Sequence, residues 1–351
     1  MQYAATLRKF GFHPSAAMFA VATAVLALRT PQVVRLRDAT TKQQISLVGT
    51  VHYNSASIAR AKEEVASVDG LGAVVVEACQ SRWESSIKLA PPGSTAARLI
   101  KSEMQAAAGV AMKNDVPVML GDAAVGRFLP RAKEFARNTV LQLSDPFGDG
   151  WRSIYADLKR TLRSTFDTAD IASSELLLKG EAPLSAADFA KPGIIIGFVG
   201  SLVRYPVAFA LKAPFPFAVL SSALLTLGTA ADTADVAAAA ALESGDFFSP
   251  AVVLTALLAA LQAGLVVLTS RTLLVVFLEE RNAELARSIR RAAAESDAPV
   301  VAILGGLHVN GVARLLLSTE TPDADGLDCD GVWWEIPDDM SGVANGEAWV
   351  N

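Results

Sequence analysis

Residues 300–308 have the sequence VVAILGGLH, an apolar run followed by two glycines and a histidine. Residues 45–52, near the other end of the chain, have the related sequence ISLVGTVH. A short apolar run bounded by glycine is typical of a buried central strand in an α/β sheet. Both stretches therefore predict a strand that delivers a histidine, His308 or His52, to the carboxyl edge of a sheet, where open α/β sheets place their sites.

Two further runs extend this pattern. Residues 73–77 (AVVVE) and 116–122 (VPVMLGD) predict strands that end in Glu77 and Asp122. Residues 55–68, 96–113 and 135–178 predict helices, and a helix from Gly311 and a short edge strand at 333–336 complete the pattern. The fold class is α/β, with a mixed or mostly parallel sheet flanked by helices.

The composition indicates that part of the chain lies in an apolar environment. Mean hydropathy is +0.35 and charged residues make up 19%, which is too apolar for an ordinary soluble enzyme. The net charge of −5 gives no basic stripe, so nucleic acid is not expected as a partner.

Two apolar blocks, 194–231 and 251–278, account for this hydropathy. Residues 251–269 carry no charge and are long enough for one membrane span. The first block holds Arg204, Lys212 and three prolines; it predicts a span at 215–231 preceded by an interfacial or re-entrant piece at 194–211, or else two short broken spans. Two buried core helices are the alternative.

A topological argument favours an inserted transmembrane helical hairpin. If strands 45–48 and 300–304 share one sheet, the number of spans between them must be even, and two fit best. The connector 232–250 is acidic, whereas Lys191, Arg204, Lys212 and Arg271 flank the blocks on the other side. Because basic flanks stay on the inner side, the α/β domain should face inward from a lipid bilayer.

The chain thus divides into four predicted segments. Residues 1–38 are basic and acid-free up to Asp38, as in an organelle transit peptide or N-terminal anchor (mitochondrion or plastid), with a secretory signal as the competitor. Residues 39–190 and 279–351 form the two parts of the α/β domain, the second with the tail. Residues 191–278 are the inserted membrane helices. No oligomeric state is indicated.

The strand ends carry the candidate chemistry. A lone histidine beside a strand is usually structural, but two in the same local context, of three in the chain, favour a site. His52, His308 and Glu77 predict a three-ligand site for a divalent metal, with Mn²⁺, Co²⁺ or Zn²⁺ suited to such ligands. Alternatively, only the histidines are ligands and Glu77 is the general base.

Other side chains have supporting roles in this prediction. Arg281, next to Glu280 at a helix start, can hold a carboxylate or an oxyanion, although both residues also suit an ordinary solvated helix start. Asp122 is a candidate metal ligand, a candidate partner that orients a ligand, or a turn residue. Arg82 can pair with Glu84 or Glu77. The turn glycines Gly49 and Gly305 are the remaining supporting residues of the predicted site.

At these residues the chain resembles the TraB family (TraB/PrgY/GumN). Five blocks carry the resemblance, and the fifth is the weakest: residues 47–52 (LVGTVH) with Ser55 and Ser57, 74–79 (VVVEAC) with Arg82, 279–282 (EERN), 301–311 (VAILGGLHVNG) and 120–122 (LGD). The departures are Ala123 where the family often has arginine, Ala78 where it often has leucine, and the apolar insertion before residue 279.

The resemblance implies an α/β fold shared with the membrane-anchored Tiki metalloproteases. It implies a metal site at His52, Glu77 and His308, with Arg281 as the motif arginine near the cleft. The expectation is a membrane-anchored metal-dependent hydrolase of peptides or proteins in which Glu77, Arg281 and Glu280 take part in catalysis. The alternative is a non-catalytic organelle-membrane regulator or scaffold that keeps the cleft for ligand binding.

Overall fold

Six strands form one mixed sheet in the computed structural model, which describes residues 32–100, 102–145, 148–212, 214–243, 248–319 and 331–335. The strand order is β1-β2-β5-β3-β4-β6, in which the four inner strands are parallel and both edge strands are antiparallel. The strands are β1 (Val33–Arg37), β2 (Gln44–Thr50), β3 (Ala73–Val76), β4 (Val118–Leu120), β5 (Val300–Gly305) and β6 (Val332–Trp333).

The helices lie on both faces of the sheet and in the stretch between β4 and β5. In chain order they are α1 (Ser55–Ser67), α2 (Gln80–Leu89), α3 (Thr95–Ile100), α4 (Glu103–Lys113), α5 (Val125–Leu143), α6 (Gly150–Phe166), α7 (Ala169–Ala172), α8 (Ala186–Phe189), α9 (Pro192–Lys212), α10 (Pro214–Glu243), α11 (Pro250–Leu274), a π-helix (Val275–Glu280), α12 (Arg281–Ser296) and α13 (Gly306–Leu317).

The inner strands are mostly apolar, as expected for strands that helices cover on both sides. On one face, α12 and α13 contribute Leu285, Ile289 and Leu316 to the core. On the other face, α1 and α2 contribute Val65 and Trp83. This two-sided burial confirms the α/β fold class and the predicted central strands.

The register brings three strand ends to one level. β5 lies between β2 and β3, with Thr50 opposite Gly305 and Val76 opposite Ile303. The turns after β2, β3 and β5 therefore leave the sheet side by side, as the two glycine-histidine stretches predicted.

Several boundaries differ from the prediction. Residues 33–37, assigned to the N-terminal segment 1–38, form β1 on the sheet edge; residues 1–31 lie outside the described residues. The helix predicted at 135–178 is instead divided among α5, α6 and α7. Pro146 and Gly148, between α5 and α6, disfavour a continuous helix there. The last helix begins at Gly306 rather than Gly311, which places His308 on its first turn. The edge strand is Val332–Trp333, and residue 336 is outside the described part.

Two helical segments of the described chain are long and apolar enough to cross a membrane by length and composition. One is Pro192–Leu211 on α9, and the other is the rod Pro250–Ser296 that begins with α11. The second contains the predicted span 251–269. The predicted span 215–231 lies on α10, which is not among the two.

A buried ion pair between β1 and α1 predicts that the stability of the fold depends on pH in the acidic range. Arg35 Nη2 lies 2.6 Å from Oε2 of the fully buried Glu64. Burial acts to raise the pKa of Glu64, but the hydrogen bond and charge of Arg35 outweigh it and hold the pKa below the ordinary 4.5. A lowered folded-state pKa stabilises the fold at pH values above 4.5, and this stabilisation disappears as the pH falls through the folded-state value.

We therefore expect Glu64→Gln to lower the free energy of unfolding most above pH 4.5 and progressively less below it. Urea unfolding, followed by tryptophan fluorescence across this pH range, measures the difference from wild type. An equal loss at every pH would contradict the assigned role of the ion pair.

Candidate functional site

His52 lies in the turn between β2 and α1, and Glu103 at the start of α4 holds it there. Nδ1 of His52 donates to Oε1 of Glu103 at 2.6 Å, and the backbone N–H of Tyr53 donates to Oε2 at 3.2 Å. Tyr53 has a φ of 59°, a left-handed conformation that is costly for a bulky residue. The fully buried carboxylate of Glu103 therefore fixes both the turn and the imidazole.

Glu77 directly follows β3 and is almost completely buried. Its Oε2 accepts the backbone N–H of Gly305 at 2.6 Å, and its Oε1 accepts Nη2 of Arg281 at 2.5 Å. The carboxylate thus links the end of β3 to the end of β5 and to the start of α12.

His308 is held by a neutral partner. Its Nδ1 donates to Oδ1 of Asn282 at 2.7 Å, and its Nε2 lies 3.5 Å from Oε1 of Glu77. In the neutral ring Nδ1 carries the hydrogen, so the lone pair of Nε2 faces the carboxylate.

The three side chains converge at Gly305. A β-carbon at this position would lie 3.2 Å from Oε2 of Glu77, 3.5 Å from Cδ2 of His308 and 3.6 Å from Nε2 of His52. The missing side chain of Gly305 therefore leaves open a small space that all three groups border. Among the described residues, no group of three or more His, Cys, Asp or Glu side chains has the spacing that a metal ion requires.

Arg281 connects two strand ends by pairing with both carboxylates. Besides Glu77, it donates from Nε and Nη2 to Asp122 at 2.9 and 2.7 Å. Arg82 donates to the same Asp122 from Nη1 at 2.5 Å. Asp122 therefore holds two guanidinium groups in place rather than bordering the open space at Gly305.

Burial and nearby charges set the protonation of the three convergent groups. Burial favours a neutral Glu77, but the charges of His308, Arg281 and His52 and the Gly305 N–H outweigh it and hold the pKa well below its usual range. Burial, helped by the charge of Arg281, lowers the pKa of His308. Burial also acts to lower the pKa of His52, but its hydrogen bond and ion pair with Glu103 raise that pKa overall.

A cavity of ≈ 530 Å³ opens beside these groups. His52 and Glu77 form part of its wall, and Arg82 faces it with a side chain that is 48% exposed. Phe209 of α9 closes another part of the wall. The other lining residues are Tyr53, Ala78, Ser81, Trp83, Ser85, Ser86, Ser102, Glu103 and Met104.

Two residues that were predicted for the site have other roles in the structure. Glu280 accepts hydrogen bonds from Arg131 of α5, and none of its described polar contacts reaches His52, Glu77 or His308. It therefore joins α5 to the π-helix instead of taking a place in the site. Gly49 has a packing role, because a β-carbon there would lie 2.5 Å from Cδ1 of Leu184 and would displace that side chain. The remaining predicted residues, namely His52, Glu77, Arg82, Asp122, Arg281, Gly305 and His308, come together.

Glu103 was not predicted from the sequence, and no role was assigned to Asn282. Glu103 follows the capping residue Ser102, and an acid in the first turn of a helix is common for electrostatic reasons alone. Asn282 belongs to a quoted motif, but only the tertiary fold shows that it holds His308.

Comparison with protein-family models gave no match for this chain, and comparison with curated proteins gave none either.

Proposed function

We propose that this protein is a membrane-anchored, metal-dependent hydrolase that acts on peptides, as its resemblance to the TraB family implies. One observation carries the proposal. His52, Glu77 and His308 come from three separate strand ends and border one space beside a cavity. Packing alone gives no reason for two imidazoles and a carboxylate to converge there.

The donor atoms suit a divalent ion such as Mn²⁺, Co²⁺ or Zn²⁺. Each imidazole has its Nδ1 held by a buried partner, Glu103 or Asn282, and this kind of support orients metal-binding histidines. The Nε2 lone pair of His308 faces an ionised carboxylate at 3.5 Å. A cation in the space at Gly305 would turn that repulsion into attraction.

The roles of the chain's own groups follow from their contacts. His52 and His308 would hold the ion through Nε2. When bound, such an ion supplies a water of lowered pKa and polarises a scissile carbonyl. Arg281 keeps Glu77 ionised, which suits a carboxylate ligand. The same lowered pKa makes Glu77 a weak proton acceptor, so the role of ligand fits it better than that of general base.

Arg82 is better placed than Arg281 to neutralise charge on the substrate. Arg281 is mostly buried and donates to two carboxylates. Arg82 lines the cavity and donates to Asp122 from Nη1. Its other N–H groups would stabilise a developing oxyanion.

One observation favours a second candidate function, that of a non-catalytic regulator that binds a ligand in the cavity. Both oxygens of Glu77 already accept strong hydrogen bonds, from Arg281 and from Gly305. A carboxylate oxygen retains a second lone pair, so these bonds compete with metal binding without blocking it. Metal content distinguishes the two functions.

We expect the detergent-purified wild-type protein to contain about one equivalent of a transition metal per chain. His52→Ala and His308→Ala should each lose most of it, because each removes an imidazole ligand. His13→Ala is the matched control, since His13 is the one histidine outside the repeated pattern, and it should keep its metal. Elemental analysis and circular dichroism together measure metal content and folding.

The regulator is favoured if the wild-type protein is metal-free and takes up no Mn²⁺, Co²⁺ or Zn²⁺ during dialysis. Hydrolysis of a mixed peptide library by the metal-loaded protein, absent in both histidine variants, would complete the case for an enzyme.

The membrane part of the proposal is a hairpin formed by α10 and α11. The uncharged stretch 251–269 of α11 crosses the bilayer, and α10 crosses back through its apolar first half. The acidic end of α10 and the α/β domain then lie on opposite sides, with the domain on the inner, basic side. Within this proposal, the basic N-terminal segment directs the chain to an organelle.

A further inference from the structure

α9 has two faces of opposite character. Its inner face rests on the α/β domain: Asn54 Nδ2 donates to the carbonyl of Ile194 at 2.8 Å, and Arg204 donates to the carbonyl of Tyr53 at 3.3 Å. Gly197 allows this close approach, because a β-carbon there would lie 2.6 Å from the Asn54 amide. The contacts run along most of the helix, down to the buried Ala208.

The outer face of α9 is apolar and uncovered. Ile196 is 73% exposed and Val203 is 66% exposed. At helical spacing these residues lie on the same side, together with Ile195, Leu202 and Val207, which are also exposed. A contiguous apolar face of this kind is unusual on a soluble surface.

The fold argues against α9 as a membrane span. Its inner face packs on α1, which carries Arg60, Lys62 and the exposed Glu63. Carrying these charges into hydrocarbon would be very costly. Moreover, β2 and β5 are neighbours in one sheet, so an even number of spans must lie between them. Either α9 or α10 would give an even number together with α11, and the charged residues of α1 beneath α9 decide in favour of α10.

We propose that α9 lies in the plane of the bilayer surface, with its outer face among the lipids and its inner face against the α/β domain. The occupant is lipid because α9 is separated by a single residue from α10, the first arm of the proposed hairpin. An amphipathic helix in this position inserts its apolar face to the boundary between headgroups and acyl chains. Phe209 on the same helix lines the cavity, so the cavity lies next to the membrane surface.

The test measures how deep single labels sit in the bilayer. A Cys329→Ser background leaves only the buried Cys79, and single cysteines replace Ile196, Val203 and Val207 on α9. Leu225 on α10 and Leu261 on α11 are deep controls, and Glu63 on α1 is the aqueous control. Each variant of the full chain is labelled with an environment-sensitive fluorophore, reconstituted in phospholipid vesicles, and quenched by lipids that carry a spin label at a shallow or a deep position.

We expect the three α9 labels to be quenched most by the shallow spin label and to share one depth. The labels at 225 and 261 should be quenched most by the deep one, and the label at 63 only by aqueous iodide. A label at 203 near the bilayer centre, with 196 and 207 towards opposite surfaces about 16 Å apart, would show a span and overturn the proposal. Unquenched α9 labels beside quenched hairpin labels would also overturn it, because protein would then cover the face.

Absence of quenching at every position would overturn both this inference and the membrane anchor. It would leave the metal content untouched, so failure of the membrane placement and failure of the metal site are separate outcomes.

Discussion

Replacing Arg281 by Met should lower the free energy of unfolding by about 3–5 kcal/mol, which is the usual cost of leaving buried charges without their partner. Glu77 and Asp122 are both almost completely buried, and Arg281 lies within 2.7 Å of each carboxylate. Methionine keeps much of the side-chain volume, so the loss reports on charge rather than on a cavity. Urea unfolding in detergent measures it.

Two further variants test whether the loss of stability comes from the buried, unpaired charges. Arg160→Met removes a guanidinium from a half-exposed pair with Glu279 and should cost less than about 1 kcal/mol. Combining Arg281→Met with Glu77→Gln and Asp122→Asn should restore part of the lost stability, because the uncompensated charges are then gone. If Arg281→Met costs no more than Arg160→Met, the buried network does not stabilise the fold.

Removing the support of His52 should impair metal binding more than folding. We expect Glu103→Ala to weaken metal affinity about 10–100-fold, the usual effect of losing a group that orients a metal-binding histidine. Glu103→Gln keeps an oxygen that accepts from Nδ1 of His52 and should regain much of the affinity. Competition with a metal-binding dye, at a pH at which free imidazole is neutral, measures the affinities.

Glu64→Ala provides the matched control, since Glu64 and Glu103 are both fully buried acids. Glu64 pairs with arginines away from the site, so its loss should lower stability and leave metal affinity unchanged. Equal metal affinities of Glu103→Ala and Glu64→Ala would show that Glu103 does not support metal binding.

The central strands and their common edge were predictable because a parallel strand covered on both faces must be almost entirely apolar. Residues 300–305 therefore stand out in the sequence, as do the polar groups that directly follow each strand. β1 was not predicted, because Arg35 and Arg37 made its segment resemble a basic leader. In the fold Arg35 reaches Glu64 and Glu181, partners that are distant in sequence.

The support of the site was the least predictable part. Glu103 and Asn282 acquire their roles from contacts between separate elements, and their local sequence suits ordinary helix starts equally well. Asp122 was a candidate partner from its position after a strand, but its pairing with two arginines was not predicted. The pairing of Glu280 with Arg131 likewise could not be predicted from the local sequence. Adjacent residues on a helix face different sides, so Arg281 enters the network while its neighbour does not.

The position of β5 in the sheet also determines when the protein can fold. β5 separates β2 from β3, yet the ribosome makes it only after all of the apolar helices. Until then the emerging domain has two unpaired inner strand edges and an incomplete core, a state prone to aggregation. We therefore expect the first half of the domain to stay incompletely folded until β5 has been synthesised and can pair with both β2 and β3.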